Sequence, residues 1–208
     1  YRTSTLFAEG RVYEMPLLAE NHFIPALEDI PKKVAGSAAL MFLNYPNNPT
    51  SAVTLPGFFE SAVEFAREHG IIIIHDNAYS EISYDGYRAP SFLETEGARE
   101  VAIEMHSLSK TYNMTGWRIG MAVGNREILA GLGRVKTNVD SGVFDAVQRA
   151  AIAALSGPDD CVRDACRIYQ ERRDLLVGGR RELGFAVEAP RATFYVWMAV
   201  DDCMAFAT

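Results

Sequence analysis

The chain has 208 residues, of which 49% are hydrophobic and 23% charged, so it can bury the core of one full domain and part of a second. Its formal charge of −7 argues against a general nucleic-acid or anionic-membrane surface, because both require clustered Lys and Arg. With no apolar run near the roughly 20 residues that span a bilayer, and no signal-peptide pattern, we expect a cytoplasmic protein.

The cysteines and the ends of the chain add two further expectations. Cys161, Cys166 and Cys203 form an odd set without Cys-x-x-Cys spacing, so reduced thiols are expected rather than a disulfide framework or a metal site. The chain starts without methionine and stops inside what reads as a continuing element. We therefore expect a fragment of a longer protein.

The first 50 residues predict loops, one strand and a distinctive turn. Residues 1–31 carry short apolar patches broken by glycine and proline, which favours strand and loop over a long helix. Residues 38–43 form a continuous apolar run, typical of a strand buried on both faces. The turn at 44–50 has two prolines and three asparagines, and such a turn usually only connects two elements. Its place at a strand end makes it a candidate site.

A helix and a second strand follow. Thr54 is predicted to cap a helix over 55–69 that Gly70 ends, and its apolar face would comprise Phe59, Ala62, Val63 and Ala66. Residues 71–74, four isoleucines, predict a central parallel strand with His75 and Asp76 at its end. Taken alone, Asp76 would be a helix cap or a turn residue, and His75 a hydrogen-bonded core histidine.

The block from Ser107 to Arg118 connects two further predicted strands, 101–105 and 119–123. Within it, Lys110 is able to form a Schiff base with an aldehyde. The hydroxyls of Ser107 and Ser109 and the guanidinium of Arg118 suit a phosphate. An aldehyde joined to a phosphate describes pyridoxal phosphate. That cofactor needs a carboxylate at its ring nitrogen, and Asp76 at another strand end meets the requirement.

The alternation of strands and helices through residue 123 predicts an α/β fold, a three-layer sandwich with a mostly parallel sheet and ligands at the carboxyl ends of the strands. Helical spacing continues over 126–135, 145–155 and 159–183, and strand-like alternation over 185–188 and 193–200. We expect a cofactor-binding domain over 1–155, incomplete at its start, and the beginning of a small α+β domain over 156–208.

Three motifs together resemble the class I and II aminotransferases, which are pyridoxal-phosphate enzymes of fold type I. They are Asn44-Tyr-Pro-Asn-Asn-Pro-Thr50, Asp76-Asn-Ala-Tyr79, and Ser107-Leu-Ser-Lys110 with Arg118 eight residues later. A closer likeness to the bacterial LL-diaminopimelate aminotransferases rests on 107–118, 138–142 and 192–197. The resemblance covers nearly the whole chain and implies a homodimer.

The resemblance also implies a role for each matching residue. Lys110 would be the Schiff-base lysine and proton shuttle, and Asp76 would keep the ring nitrogen protonated. Asn48 and Tyr79 would bind the ring hydroxyl, while the phosphate would be held by Ser107, Ser109 and Arg118. We expect no metal.

The resemblance also shows departures and leaves alternatives open. Ser51 stands where family members often have glycine. The family's phosphate loop and ring-stacking aromatic would precede Tyr1, and its substrate-binding arginine would follow Thr208, so the 208 residues alone are expected to be inactive. A lyase or decarboxylase of the same fold, or a non-catalytic domain of a transcription regulator, would share the Lys110 block.

Overall fold

The computed structural model describes residues 1–199, which form an α/β fold around one four-stranded sheet of order β1-β2-β3-β4. The strands are β1 (Leu40–Leu43), β2 (Ile72–Asp76), β3 (Ala102–Ser107) and β4 (Gly120–Gly124). The first three are parallel, and β4 is antiparallel to β3. The predicted α/β class and mostly parallel sheet are confirmed.

Within residues 1–199 the α-helices are as follows: α1 (Arg2–Phe7), α2 (Lys32–Ala35), α3 (Phe58–His69), α4 (Ala98–Val101), α5 (Leu108–Thr111), α6 (Arg126–Val139), α7 (Asp145–Ser156) and α8 (Asp160–Glu182). Short 3₁₀ turns connect several of them. Helices α6, α7 and α8 match the three predicted helical stretches, although α6 continues four residues further than predicted.

The central strands run past their apolar cores into polar residues. The pairing of β2 with β3 continues through His75 opposite Glu104 and Asp76 opposite Met105. Backbone hydrogen bonds in a parallel ladder do not depend on side-chain polarity, so the strands extend to the site residues. The prediction that β1 is buried on both faces is wrong, because Leu40 is 49% exposed and Phe42 only half-buried.

Helix α3 starts three residues later than predicted. Thr54 does not cap it; Gly57 precedes the first turn with φ +86, and Phe58 N donates to Leu55 O in a tight turn that reverses the chain. A φ in this range favours glycine, so the reversal falls at Gly57 and the helix follows it. The predicted apolar face is confirmed as buried, and Gly70 ends the helix with φ +67.

Two predictions for irregular regions were wrong. No strand occurs in residues 1–31, where α1 and 3₁₀ turns stand instead. Residues 185–188 and 193–199 form no strand either; Ala192 makes a single bridge with Ser83, and Val200 lies outside the described residues. Thr193, with φ +65, turns the chain away, so the ladder stops after the Thr193 N to Ile82 O bond.

The core lies between α3 and the parallel strands. Its fully buried members include Ala62, Ala66, Ile73, Phe92 and Ala102. A smaller cluster of Leu108, Met114 and Ala151 fixes the start of α5 against α7 and so supports the Lys110 block from beneath. The division predicted between residues 155 and 156 falls at the end of α7 and stays a prediction.

Two observations concern the earlier expectations about cysteines and membranes. Cys161 and Cys166 are free thiols, as predicted, and Cys203 lies outside the described residues. Among residues 1–199 no helix combines the length and apolar character that a membrane crossing requires.

Candidate active site

The predicted site residues lie on three connections that leave the sheet at its carboxyl edge. These are the loop 44–51 after β1, the end of β2 with the loop that follows it, and the connection from β3 to β4. Parallel strands bring their carboxyl ends to one edge, so residues distant in sequence meet there. The seven predicted residues divide into two groups.

The first group surrounds a cavity of about 260 Å³ that holds Asp76, Ser107, Ser109 and Arg118. Ser107 Oγ caps α5 by accepting a hydrogen bond from Ser109 N at 3.3 Å. The Arg118 guanidinium donates to Ser109 Oγ at 3.5 Å and to Thr115 O at 3.0 Å. One cavity therefore carries a carboxylate together with a hydroxyl-guanidinium cluster.

Gly120 forms part of the wall of this cavity. A Cβ at this position would lie 2.5 Å from His106 O, a backbone atom that cannot move aside like a flexible side chain. Any larger residue would therefore displace β4 from β3 where both strands line the cavity. Glycine permits the close approach of the two backbones.

The second group meets at the phenol of Tyr79, which is buried. Asn48 Nδ2 donates to Tyr79 OH at 3.4 Å, and Lys110 Nζ lies 5.9 Å from the centroid of the Tyr79 ring. Burial raises the pKa of Tyr79 above its ordinary value, the contact with the Tyr195 hydroxyl and the negative charge of Asp76 raise it further, and the hydrogen bond from Asn48 lowers it. Tyr79 is therefore a neutral phenol with a hydrogen to donate near the Lys110 amine.

Asn44 connects the two groups. Its Nδ2 donates to Asp76 O at 2.8 Å, and its Oδ1 accepts from Asn48 N at 2.9 Å. The backbones of Asp76 and Asn48, which lie in the two parts of the site, are thus held relative to each other through one side chain. Asn44 stands in a motif singled out from the sequence, but the sequence assigned it no role.

Tyr1 also belongs to the site, although no sequence pattern pointed to it. Its hydroxyl donates to Asp76 Oδ2 at 2.6 Å, while its ring stacks on Phe42 with centroids 4.7 Å apart. Burial, the hydrogen bond and the negative charge of Asp76 raise the pKa of Tyr1. One oxygen of Asp76 is therefore held by a neutral phenol.

Beneath the site lies a buried carboxylate, Glu104, which is 1% exposed. It accepts five hydrogen bonds, from His75 Nδ1, His106 Nε2, Asn77 Nδ2, Ser91 Oγ and Phe92 N. Burial alone would raise the pKa of Glu104, but the bonds from His106 and His75, the charge on His75 and the bond from Ser91 hold it far below its usual range.

His75 is fully buried in this network, so its interpretation as a hydrogen-bonded core histidine is correct. Its Nδ1 lies 2.9 Å from Glu104 Oε1 and its Nε2 lies 3.0 Å from Tyr45 O. Both ring nitrogens of His75 thus face oxygen atoms that accept hydrogen bonds. The network fixes β2 against β3 immediately before Asp76 and Ser107.

The donor set around the cavity fits pyridoxal phosphate. A carboxylate suits a protonated ring nitrogen, and hydroxyls with a guanidinium suit a phosphate dianion. Both occur in the same cavity, and the amine of Lys110 and the phenol of Tyr79 lie together beside the loop that Asn44 ties to Asp76. The chemistry of these side chains therefore agrees with the cofactor that the sequence predicted.

Comparison with known proteins identifies the family. The profile of "Aminotransferase class I and II" matches residues 1–208. The chain belongs to the class I and II aminotransferase family. It is similar to the LL-diaminopimelate aminotransferase of Gloeobacter violaceus, with 56% identity over 96% of this chain, and to that of Syntrophobacter fumaroxidans, with 57% identity over 95%.

A solved structure agrees with this family assignment. Substrate-bound BacF from Bacillus subtilis is 44% identical, has a TM-score of 0.92 and covers 99% of this chain. The chain spans 51% of each of the two LL-diaminopimelate aminotransferases and 52% of the BacF chain. The resemblance inferred from the motifs is thus confirmed, and the aminotransferase fold with it.

Proposed function

We propose that the protein containing these residues is a pyridoxal-phosphate-dependent aminotransferase, which moves an amino group between an amino acid and a 2-oxo acid. The observation that carries the proposal is the cavity shared by Asp76, Ser107, Ser109 and Arg118. Membership of the aminotransferase family supports it. LL-diaminopimelate is the proposed amino donor, because relatives of that name are 56% and 57% identical over nearly the whole chain.

The phosphate would be held by Arg118 with Ser107 and Ser109. A guanidinium supplies charge-assisted hydrogen bonds in a planar arrangement, and the two serines add neutral hydroxyl donors. Ser109 is buried and Arg118 already donates to it, so the guanidinium and the hydroxyl are aligned without a ligand. This alignment lowers the ordering cost of binding.

The aromatic ring would be oriented by three side chains. Asp76 would face the ring nitrogen and favour its cationic form, since an anion nearby stabilises a proton on nitrogen. Tyr79 and Asn48 would donate to the ring hydroxyl. Their own contact at 3.4 Å keeps the two donors side by side.

When bound, pyridoxal phosphate supplies an aldehyde and an electron-accepting ring. Lys110 would condense with the aldehyde through Nζ, with loss of water. Once the amino group of the substrate had displaced it, the freed Nζ would serve as the base that moves a proton at the substrate α-carbon. The α5 cap at Ser107 and the buried Leu108 fix the turn that carries Lys110. The Lys110 amine lies over the ring of Tyr79, so the two groups would meet the cofactor together.

Further expectations from the sequence belong to the same proposal. A homodimer, a cytoplasmic location and the domain division at 155 and 156 stay predictions. The lyase, decarboxylase and regulator alternatives share the Lys110 block, but both LL-diaminopimelate relatives are aminotransferases. Transamination is therefore the function that these observations favour.

The test is to map the lysine that binds the cofactor. The complete natural protein containing these residues is loaded with pyridoxal phosphate, reduced with borohydride, digested and analysed by mass spectrometry. We expect the label on Lys110, lost in Lys110→Ala and kept in the control Lys136→Ala, whose exposed amine pairs with Asp140. Label on Lys136, or no label after loading, would overturn the proposal.

The substrate is tested separately. The loaded protein is mixed with single amino acids, and conversion of the aldehyde to the amine form of the cofactor is followed by absorption. LL-diaminopimelate should convert it fastest. Faster conversion by another amino acid would contradict the donor assignment while leaving the transaminase proposal intact.

A further inference from the structure

Residues 191–195 return to the site and are bonded to the loop 44–51 through Ser51. The Ser51 hydroxyl is buried and contacts both Thr193 Oγ1 and the carbonyl of Tyr195, the latter at 2.8 Å. Thr193 is fully buried as well. A segment that follows α8 is therefore attached to the loop that carries Asn48.

The hydrogens in this contact can be assigned. Ser51 has one hydroxyl hydrogen and gives it to Tyr195 O, so Thr193 must donate to Ser51. Thr193 Oγ1 also accepts from Tyr195 N at 3.1 Å, and Thr193 O accepts from the hydroxyl of Tyr84. These bonds hold the backbone at Thr193 and at Tyr195, on both sides of Phe194.

The hydroxyl of Tyr195, at the end of the segment bonded to Ser51, lies 2.9 Å from Tyr79 OH. A phenol oxygen accepts up to two hydrogen bonds and donates one. Asn48 already donates to Tyr79. Either phenol can donate in the contact between Tyr79 and Tyr195. With Tyr195 as the donor, both acceptor positions of Tyr79 are filled, and the hydrogen of Tyr79 is directed away from these two neighbours.

We propose that Tyr195 is a positioning residue that acts through Tyr79, and that Ser51 is the anchor holding it there. In this arrangement Tyr195 donates to Tyr79, which leaves the hydrogen of Tyr79 for the ring hydroxyl of the cofactor. The inference rests on the proposed function, because it concerns how the same site treats the same cofactor.

The backbone at Ser51 supports a specific role for its hydroxyl. Its φ is +60, a region where glycine is favoured and serine is strained. This agrees with the expectation that family members often have glycine at this position. Serine is placed here at a conformational cost, and the bonds to Thr193 and Tyr195 offset it.

The experiment compares variants of the complete natural protein loaded with pyridoxal phosphate. The visible absorption of the bound cofactor is titrated with pH, which reports how strongly its ring hydroxyl is stabilised as an anion. Tyr195→Phe should raise the midpoint by about 0.5 to 1 pH unit, the size expected for losing one hydrogen bond's support. The other groups that would face the cofactor ring, Lys110, Asp76 and Asn48, stay unchanged in this variant.

Two further variants make the result decisive. Tyr87→Phe removes a phenol hydroxyl from a half-buried tyrosine whose ring faces Arg191, away from Tyr79, and should leave the midpoint unchanged. Ser51→Gly keeps every tyrosine and suits the positive φ, so it should fold and shift the midpoint upward by less than Tyr195→Phe does. It decides the question if Tyr195→Phe does not fold.

The possible outcomes separate the two proposals. If the parent takes up the cofactor but Tyr195→Phe and Ser51→Gly titrate within about 0.1 pH unit of it, the positioning role is overturned. If Tyr87→Phe shifts the midpoint as far as Tyr195→Phe, the effect is not specific and the inference fails too. If the parent takes up no cofactor, the proposed function itself fails.

Discussion

The fold has a buried side, formed by β2 and α3, and an exposed side, formed by β4 and α6. In β2, Ile73 and His75 are completely buried, and α3 covers the parallel strands. In β4 and α6, all described by the structure, no residue is buried. Their exposed apolar side chains are Met121, Val123, Leu132, Val135 and Val139.

The difference divides the candidate site into two halves that are supported in different ways. Asp76 extends from the buried side, where the Glu104 network fixes the strand ends. Arg118 lies just before β4 and is positioned by local bonds to Ser109 and Thr115. The half that would face the cofactor ring is thus supported by the core, while the half that would face the phosphate depends on short-range hydrogen bonds.

The largest expected effect comes from breaking the buried side. Glu104→Ala should lower the free energy of unfolding of the 208-residue chain by about 3 to 5 kcal/mol, because it leaves the buried donors of His75, Ser91 and Phe92 without their acceptor. Urea unfolding followed by circular dichroism measures it. The matched control is Glu100→Ala, which removes an exposed ion pair with Arg67 and should cost under about 1 kcal/mol. Equal losses in both variants would contradict the buried-network interpretation.

The same carboxylate should make stability depend on pH. The folded pKa of Glu104 lies below its unfolded value, so its contribution is fully present above the unfolded pKa of about 4.3 and is lost as the pH falls through the folded pKa. Glu104→Gln should therefore show a flatter loss of stability below about pH 4 than the parent. Parallel curves for the two proteins would show that Glu104 titrates normally.

On the other side, Arg118→Ala should weaken cofactor binding by roughly 10- to 100-fold, because charge-assisted hydrogen bonds contribute about 1.5 to 3 kcal/mol. The chain should remain folded, since Arg118 is exposed and belongs to neither apolar cluster. Cofactor dissociation constants of the complete natural protein measure the change. Arg126→Ala, at the exposed start of α6, is the control and should bind as the parent does. An unchanged affinity in Arg118→Ala would remove Arg118 from the phosphate site.

The sequence predicted which helices and strands occur better than it predicted the residues at which they begin and end. Apolar runs located all four strands, and helical spacing located α3, α6, α7 and α8. The strand ends at Asp76 and Ser107 were missed because the backbone ladder continues where the apolar pattern stops. The C-terminal strands were wrong because alternation describes side chains and does not supply the neighbouring strand that a ladder requires.

For the site, local motifs located the seven predicted residues but none of the long-range partners. Tyr1 and Tyr195 are 75 and 116 positions away from the residues they contact, so no spacing rule connects them. Glu104 was missed because a single acid in an apolar strand is usually taken as facing solvent. Its neighbours His106 along the chain and His75 at another strand end were the available signal, because they are potential donors to a buried carboxylate.

The smallest expected effect tests the comparison most directly, since it changes the same residue type on the two sides. Val63 on α3 is 2% exposed and Val135 on α6 is 64% exposed. In the 208-residue chain, Val63→Ala should lower the free energy of unfolding by about 1 to 3 kcal/mol, through lost burial and the cavity that remains. Val135→Ala should change it by under about 0.5 kcal/mol, because alanine favours a helix and little burial is lost. Urea unfolding of both variants measures the pair. A loss for Val135→Ala as large as that for Val63→Ala would mean that the α6 face is covered in solution, for example by a second copy, and a dependence of that loss on protein concentration would identify such a copy.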